Sequence, residues 1–417
     1  HTEITPSSSA TLRRHRLGVR PLSLLLGALV ASATATAPAS AAGHIVTGPS
    51  SSAAPYVLPT AAGVRTVSIL TVGDTVDGYR MVGIPDGLGA FDNGDGTFTL
   101  LMNHELGATA GVERRHGAAG AFVSRWTITA DPEGPAVLGG QDLAKTVHAW
   151  DNVSGGYVAA TGEANAFGRL CSADLPGRTA FYDPASQTGW NGTRIFMDGE
   201  EIDEGRAFAH LLNGKSYELA RLGRLSWENS VASPASGVAT VVVGLDDSTP
   251  GQVYVYVGQK TNAGSPIDRA GLTNGSLYGV SVAETVDEAT AADPLGADDA
   301  SAFSLAALGD VTGWSADDLQ DASEDAGVTE FLRPEDGAWD PEHPNDFYFV
   351  TTASFSGPSR LWRLRFADAT NPSAGGTIQL LLEGAEGQRM MDNLTIDRSG
   401  HVLVQEDPGN QAHVAKI

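Results

Sequence analysis

The chain has 417 residues, 41% of them hydrophobic, and a formal charge of −24. That length and apolar content can fill a large core, either as two ordinary domains or as one large β architecture. The acidic balance excludes nucleic acid as an evident partner, and the one cysteine, Cys171, leaves no intramolecular disulfide to staple the fold.

Residues 1–41 read as an export signal: Arg13, Arg14, Arg16 and Arg20 form a basic start, "PLSLLLGALVA" an apolar stretch too short for a bilayer span, and "ASA" a small-residue cleavage site. The Arg13-Arg14 pair leaves the twin-arginine and general export routes both open. Without the four Arg and one Glu of this segment, 22 basic and 49 acidic residues remain, a net charge of −27. The mature protein is therefore expected in the periplasm or outside the cell, with no stable membrane insertion, as a monomer. Residues 42–62, rich in Ala, Ser, Gly and Pro, read as a flexible leader.

From residue 63 onward, short β-prone runs alternate with Gly/Asp/Asn turns: "TFTLLMNHE", "TRIFMDGEE", "ATVVVGLDD", "QVYVYVGQK", "DFYFVTT", "LWRLRF" and "HVLVQED". One phrase recurs, a polar turn leading into four or five apolar residues and then into polar groups. With Phe98, Ile195, Val253, Phe347 and Val402 as markers, the gaps are 97, 58, 94 and 55, one or two units of a period of about 50 residues. The expected fold is all-β, a β-propeller with inserted loops and short helices over residues 63–417, although a sandwich or two packed barrels would give similar runs. Residues 281–330 hold 13 acidic residues and no Lys or Arg, and read as surface loops and short helices inserted between blades. The closing "AHVAKI" reads as the middle of a strand, as in a truncated chain.

Several familiar signatures are absent. "LNGKS" lacks the first glycine of a phosphate loop, "NHELGA" lacks the second histidine of a zinc protease, and no G-x-S-x-G occurs. "DNGDGT" has glycines where a calcium hand needs oxygen side chains. What remains are carboxylates where apolar runs end: Glu105, Glu200, Glu201, Glu228, Asp246, Asp247, Glu335, Asp336, Asp392 and Glu406, with Asn393 and Asp407 beside them. Strand ends of a propeller converge on its central channel. Like charges ~4 Å apart there would cost on the order of 4 kcal/mol per pair at an effective dielectric near 20, so cations must lie among them or most must lie elsewhere. Hard oxygen ligands in this number suit calcium or ferric iron. Cys171 reads either as a small buried hydrophobe or as a thiolate ligand to iron.

In order along the chain, "GIPDGLGAFDNGDGTFTLLMNHEL", "GEEIDEGRAFAHLL", "LGRLSWENSVASP", "VVVGLDD", "VYVYVGQKT", "RPEDGAWDP" and "MMDNLTIDRSGHVLVQEDPG" resemble the secreted PhoX-type alkaline phosphatases and their actinobacterial relatives. The resemblance implies a β-propeller phosphomonoesterase exported by the twin-arginine route, with a cluster of Ca2+ and Fe3+ held by Glu, Asp and one Cys. It makes Glu105, Glu201, Glu335 and Glu406 the leading metal ligands and Cys171 the iron thiolate, followed by Glu228, Asp246, Asp247, Asp336 and Asp392. The surroundings of the cysteine, "RLCSADLPG", depart from the Asn-Cys-x-Gly-Gly of that family. Arg333 and Arg389 are candidate clamps for the phosphate, and Glu335 a candidate catalytic residue. The expected activity is hydrolysis of phosphate monoesters. The competing readings are a calcium-stabilised propeller that binds an extracellular partner without catalysis, and a phytase-like or phosphodiesterase-like hydrolase.

Overall fold

The structure, a computed structural model, describes residues 44–283, 285, 287, 288, 300–408 and 415–417. The expected export signal lies outside the described residues, as do parts of the acidic stretch and of the C-terminal segment. Among the described residues strands dominate and α-helices are limited to Pro266–Arg269 and Ala316–Asp325, each opened by a serine capping box. No described helix is long and apolar enough to cross a membrane.

Among the described residues five units, numbered here as blades 1 to 5, each begin with an inner strand paired antiparallel to the next: Ile84–Asp92, Leu170–Asp174, Trp227–Ala232, Pro334–Trp339 and Met391–Ile396. These inner strands pack side by side in that order around an axis. The second strands, Thr97–Glu105, Ile195–Glu200, Ala239–Asp246, Asp346–Thr351 and Val402–Glu406, run back along them. The architecture is an all-β propeller.

The sheets of blades 1 to 4 are covered on both faces, which explains why their strands read as continuous apolar runs. Along Ala239–Asp246 alternate side chains point to opposite faces. Val241, Val243 and Leu245 join Phe347, Phe349 and Trp362 between blades 3 and 4, while Val242 joins Trp227, Met197 and Ile195 between blades 2 and 3. Leu101, Val123, Leu170, Phe196 and Phe208 fill the seam between blades 1 and 2, and Val350, Leu361, Met391 and Leu394 that between blades 4 and 5.

The markers Phe98, Ile195, Phe347 and Val402 lie on second strands, but Val253 lies on the third strand of blade 3, whose second strand is "ATVVVGLD". Two segments differ from expectation. In the stretch expected as a leader, His44–Thr47 pairs in parallel with Arg65–Ser68. In the acidic stretch Ala300–Gly309 is a strand, not a loop. It pairs with the outer strands Ser276–Val282 of blade 3 and Gly376–Leu382 of blade 4 and fuses them into one sheet. Its sequence, "ASAFSLAALG", has no β-branched residue and so carries a weak strand signal.

Candidate metal centre

The inner strands carry the same irregularity in every blade. Pairing with the second strand slips between Pro85 and Leu88, Leu170 and Ala173, Trp227 and Asn229, Pro334 and Gly337, and Met391 and Leu394. Each slip is a one-residue β-bulge, a device that re-aims a side chain and bends the strand. The residues that open these five bulges are Asp86, Cys171, Glu228, Glu335 and Asp392.

The residues that follow them, Gly87, Ser172, Asn229, Asp336 and Asn393, form a second tier. Ser172 Oγ donates to Asn393 Oδ1 at 3.1 Å, Asn229 Nδ2 donates to Asp336 Oδ1 at 2.6 Å, and the Leu394 N–H donates to Asp336 Oδ2 at 3.0 Å. Asn103 Nδ2 ties blade 1 to the Cys171 and Ser172 carbonyls at 3.0 and 3.2 Å. Gly87 is required in this tier, since a Cβ there would stand 2.4 Å from the Ala173 nitrogen. The lower tier thus locks the blades together and fixes the upper one.

Opposite the bulges, the last residue of the second strand in blade 1, Glu105, and the residues just past the second strands of blades 2, 3 and 5, namely Glu201, Asp247 and Asp407, hold matching places. The N–H groups of Glu201, Asp247 and Asp407 bond to the carbonyls of Arg169, Ser226 and Met390, each two residues before a bulge. The blade 4 counterpart is Thr352, bonded to Arg333. Arg169 and Arg333 are therefore equivalent positions of blades 2 and 4.

Three ligand sets result, each with donor atoms within 4.8 Å of one another: Asp86, Glu105 and Cys171; Cys171, Glu201 and Glu228; Glu228, Asp247 and Glu335. Cys171 and Glu228 are shared, so the sets are contiguous. With Asp392 the centre holds seven carboxylates and one thiol, against the guanidinium groups of Arg169 and Arg333. Arg333 forks onto both oxygens of Asp247 at 2.7 and 2.9 Å and lies 2.9 Å from Glu335; its φ of 57° places it in the left-handed region. Arg169 pairs with Glu105 and Glu201.

Burial and like charge raise the pKa values of five of these acids. Burial first, then the Glu105 charge, pushes Asp86 up to about 7. Burial and the Asp247 charge, opposed by Arg169, push Glu201 up to about 7. Glu228, Glu335 and Asp392 are raised well above the ordinary carboxylate range by burial first and then by nearby charge, that of Glu335 on Glu228, of Asp247 on Glu335 and of Asp86 on Asp392, and burial with the Glu228 and Asp86 charges raises the Cys171 thiol. Glu201 Oε2 and Glu228 Oε1 are buried without a hydrogen-bond partner. Orphaned carboxylate oxygens facing other carboxylates are what a hard cation would satisfy, so the residues fit calcium and, through the thiol, iron. A cleft of about 730 Å³ reaches the centre, lined by Asp86, Glu105, Arg169, Cys171, Asp392 and Asp407 and, on an apolar side, by Leu88, Leu394 and Leu403.

Of the residues singled out in the sequence, Glu105, Cys171, Glu201, Glu228, Asp247, Glu335, Asp392 and Arg333 meet here. Five others do not join them, and strand parity explains most of this: neighbouring residues face opposite ways. Glu200 turns away to accept from Arg206 Nε at 2.8 Å and from the Gly168 N–H at 2.8 Å. Asp246 accepts from Ser248 Oγ at 2.9 Å, and Glu406 from the Arg389 N–H at 2.8 Å. Asp336 belongs to the lower tier. Arg389 directs its guanidinium to the Gln388 carbonyl at 3.2 Å, so the sequence expectation of a phosphate clamp finds no support in its placement.

Sequence reasoning missed Asp86 and Arg169. Asp86 had a signal: "IPDGL" sets its acid after proline on an inner strand as "RPEDG" does. Arg169 had none, because its partners lie 64 and 32 residues away.

No family model matches the chain, and no curated protein matches it in sequence. A solved structure does resemble it: Pseudomonas fluorescens PhoX in complex with vanadate, a transition state analogue. It aligns with a TM-score of 0.53 over 78% of this chain and 74% of that one, at 12% identity. The fold is PhoX-like. At that identity the likeness speaks for the propeller, and the chemistry must be argued from the residues themselves.

Proposed function

We propose that the protein is an exported, metal-dependent phosphatase of the PhoX type that hydrolyses phosphate monoesters. The observation that carries this reading is the row of three contiguous ligand sets, built from equivalent bulges and the second-strand ends opposite them, the first of which lines a cleft. Asp86, Glu105, Glu201, Glu228, Asp247, Glu335 and Asp392 would hold Ca2+ and Fe3+, with Cys171 supplying a soft donor that favours iron at the sets it joins. Bound there, such cations supply Lewis acidity to phosphoryl and leaving oxygens and lower the pKa of a water.

The chain's own contribution is placement and charge. The cleft is of the size that small-molecule sites use, and its apolar side suits the organic part of an ester. Arg333, fixed by Asp247 and Glu335 and by its own constrained backbone, keeps a guanidinium at the edge of the third set, and Arg169 is the arginine that lines the cleft. Burial excludes water from Glu228 and Glu335, which are each 1% exposed. No serine or histidine nucleophile is needed.

That deep burial also favours a second reading, in which cations at the third set serve only to hold the blades of a non-catalytic binding protein. Elemental analysis with a generic aryl phosphate assay separates the two. Iron with calcium and hydrolysis that Glu335→Gln largely abolishes support the phosphatase; calcium alone without hydrolysis supports the binder.

A further inference from the structure

Arg169 stands where two of the ligand sets meet. Its Nε donates to Glu105 of the first set, its Nη1 to Glu201 of the second, and its Nη2 lies 3.7 Å from the Cys171 sulfur that both share. All three nitrogens of the guanidinium thus face candidate ligands from two blades. Hard cations bind carboxylate oxygens at roughly 2.0–2.6 Å. Arg169 holds one oxygen of Glu105 and one of Glu201, so a cation bound by these carboxylates would stand within a few ångströms of the guanidinium, where two positive charges repel.

The two equivalent arginines differ in freedom. Arg333 has 23% of its side chain exposed, sits at positive φ and grips both oxygens of one carboxylate. Arg169 is 45% exposed, lies on ordinary backbone and lines the cleft, so its head can swing into solvent while its carbonyl stays bonded to the Glu201 N–H at 2.8 Å. We propose that Arg169 is a built-in counter-cation: it neutralises Glu105 and Glu201 while the first two sets are empty, and cation loading displaces it into the cleft. This inference rests on the reading of the cluster as a metal centre. It accounts for a cluster whose seven carboxylates face so few fixed positive charges, one of which is spread over two blades. The displaced guanidinium then faces the cleft as a free fork for an anionic ester.

A permanent structural ion pair and a displaceable counter-cation make opposite predictions. The full chain, stripped with EDTA and dialysed, is titrated with Ca2+ alone by calorimetry and melted with and without excess Ca2+, as wild type, Arg169→Gln and Arg169→Lys. The Gln variant is expected to melt below wild type in EDTA, to match it in excess Ca2+, and to bind Ca2+ ~10-fold more tightly, since the competing positive charge is gone. The Lys variant, a point charge able to hold one carboxylate at a time, is expected to bind ~3-fold more tightly than wild type, and it carries the test should the Gln variant not fold. Ca2+ affinity equal to or weaker than that of the wild type in both variants overturns the proposal, as does an equal loss of melting temperature with and without Ca2+. A wild type that takes up no cation would instead overturn the metal centre itself, and the counter-cation with it.

Discussion

Glu228 belongs to two ligand sets and is the sharpest point at which to test the centre. Its carboxylate has Glu201 on one side and Asp247 and Glu335 on the other, all within 4.8 Å in their sets. At that distance and an effective dielectric near 20, each pair charged on both sides costs about 3.5 kcal/mol, a large part of the stability of a domain. Burial first, then the Glu335 and Asp392 charges, raises the Glu228 pKa well above its ordinary value and so favours the protonated form in the metal-free protein. Holding neutral at pH 7 a carboxyl whose ordinary value is 4.5 costs roughly 3 kcal/mol. Glutamine has the same shape and is exempt from that cost. Glu228→Gln should therefore raise the melting temperature in EDTA at pH 7, on the order of 5 °C. In excess Ca2+ the sign should reverse, because a shared ligand is gone.

The pH dependence follows from the direction of the shift. A carboxyl raised in the folded state binds a proton that the unfolded chain has released. Its stability contribution is complete below about 4.5 and is lost as pH rises through the folded value. In EDTA the advantage of the variant should vanish near pH 4 and grow toward pH 7. Scanning calorimetry at both pH values, with and without Ca2+, decides the matter. A variant destabilised in EDTA, or shifted the same way in both conditions, would refute the crowding of like charges at Glu228.

Cys171→Ser should leave the fold intact, since Cys171 is a small side chain 3% exposed, but should remove iron from the purified protein and with it any visible thiolate-to-iron absorption band. Gly87→Ala should destabilise by about 3 kcal/mol, measured by denaturant unfolding, because its Cβ would press within 2.4 Å of the Ala173 backbone and prise blade 1 from blade 2. Asp336→Ala leaves Asn229 and the buried N–H groups of Gly337 and Leu394 without their acceptor; a loss of about 3 kcal/mol is expected, with Ca2+ affinity falling as the upper tier loosens. Glu200→Gln should leave Ca2+ affinity unchanged, because Glu200 serves Arg206 and not the centre.

The propeller and the acidic character of the channel were legible in the amino-acid order. Apolar runs such as "ATVVVGLD" state that both faces of a sheet are covered, and the acids that follow them mark the strand ends. What the order could not state is which acid of a pair turns inward. In "GEE", "LDD" and "QED" the second member, Glu201, Asp247 or Asp407, takes the inward position, while Glu200, Asp246 and Glu406 turn to Arg206, Ser248 and Arg389. In "PED" and "MDN" the first member opens the bulge and the second joins the lower tier. A strand alternates every residue, so a single bulged residue exchanges the two faces, and bulges are set by pairing with another strand. Asp86, Cys171 and Arg169 likewise acquire their neighbours only when blades 1 and 2 close against each other, since electrostatic contact depends on distance in space and not along the chain.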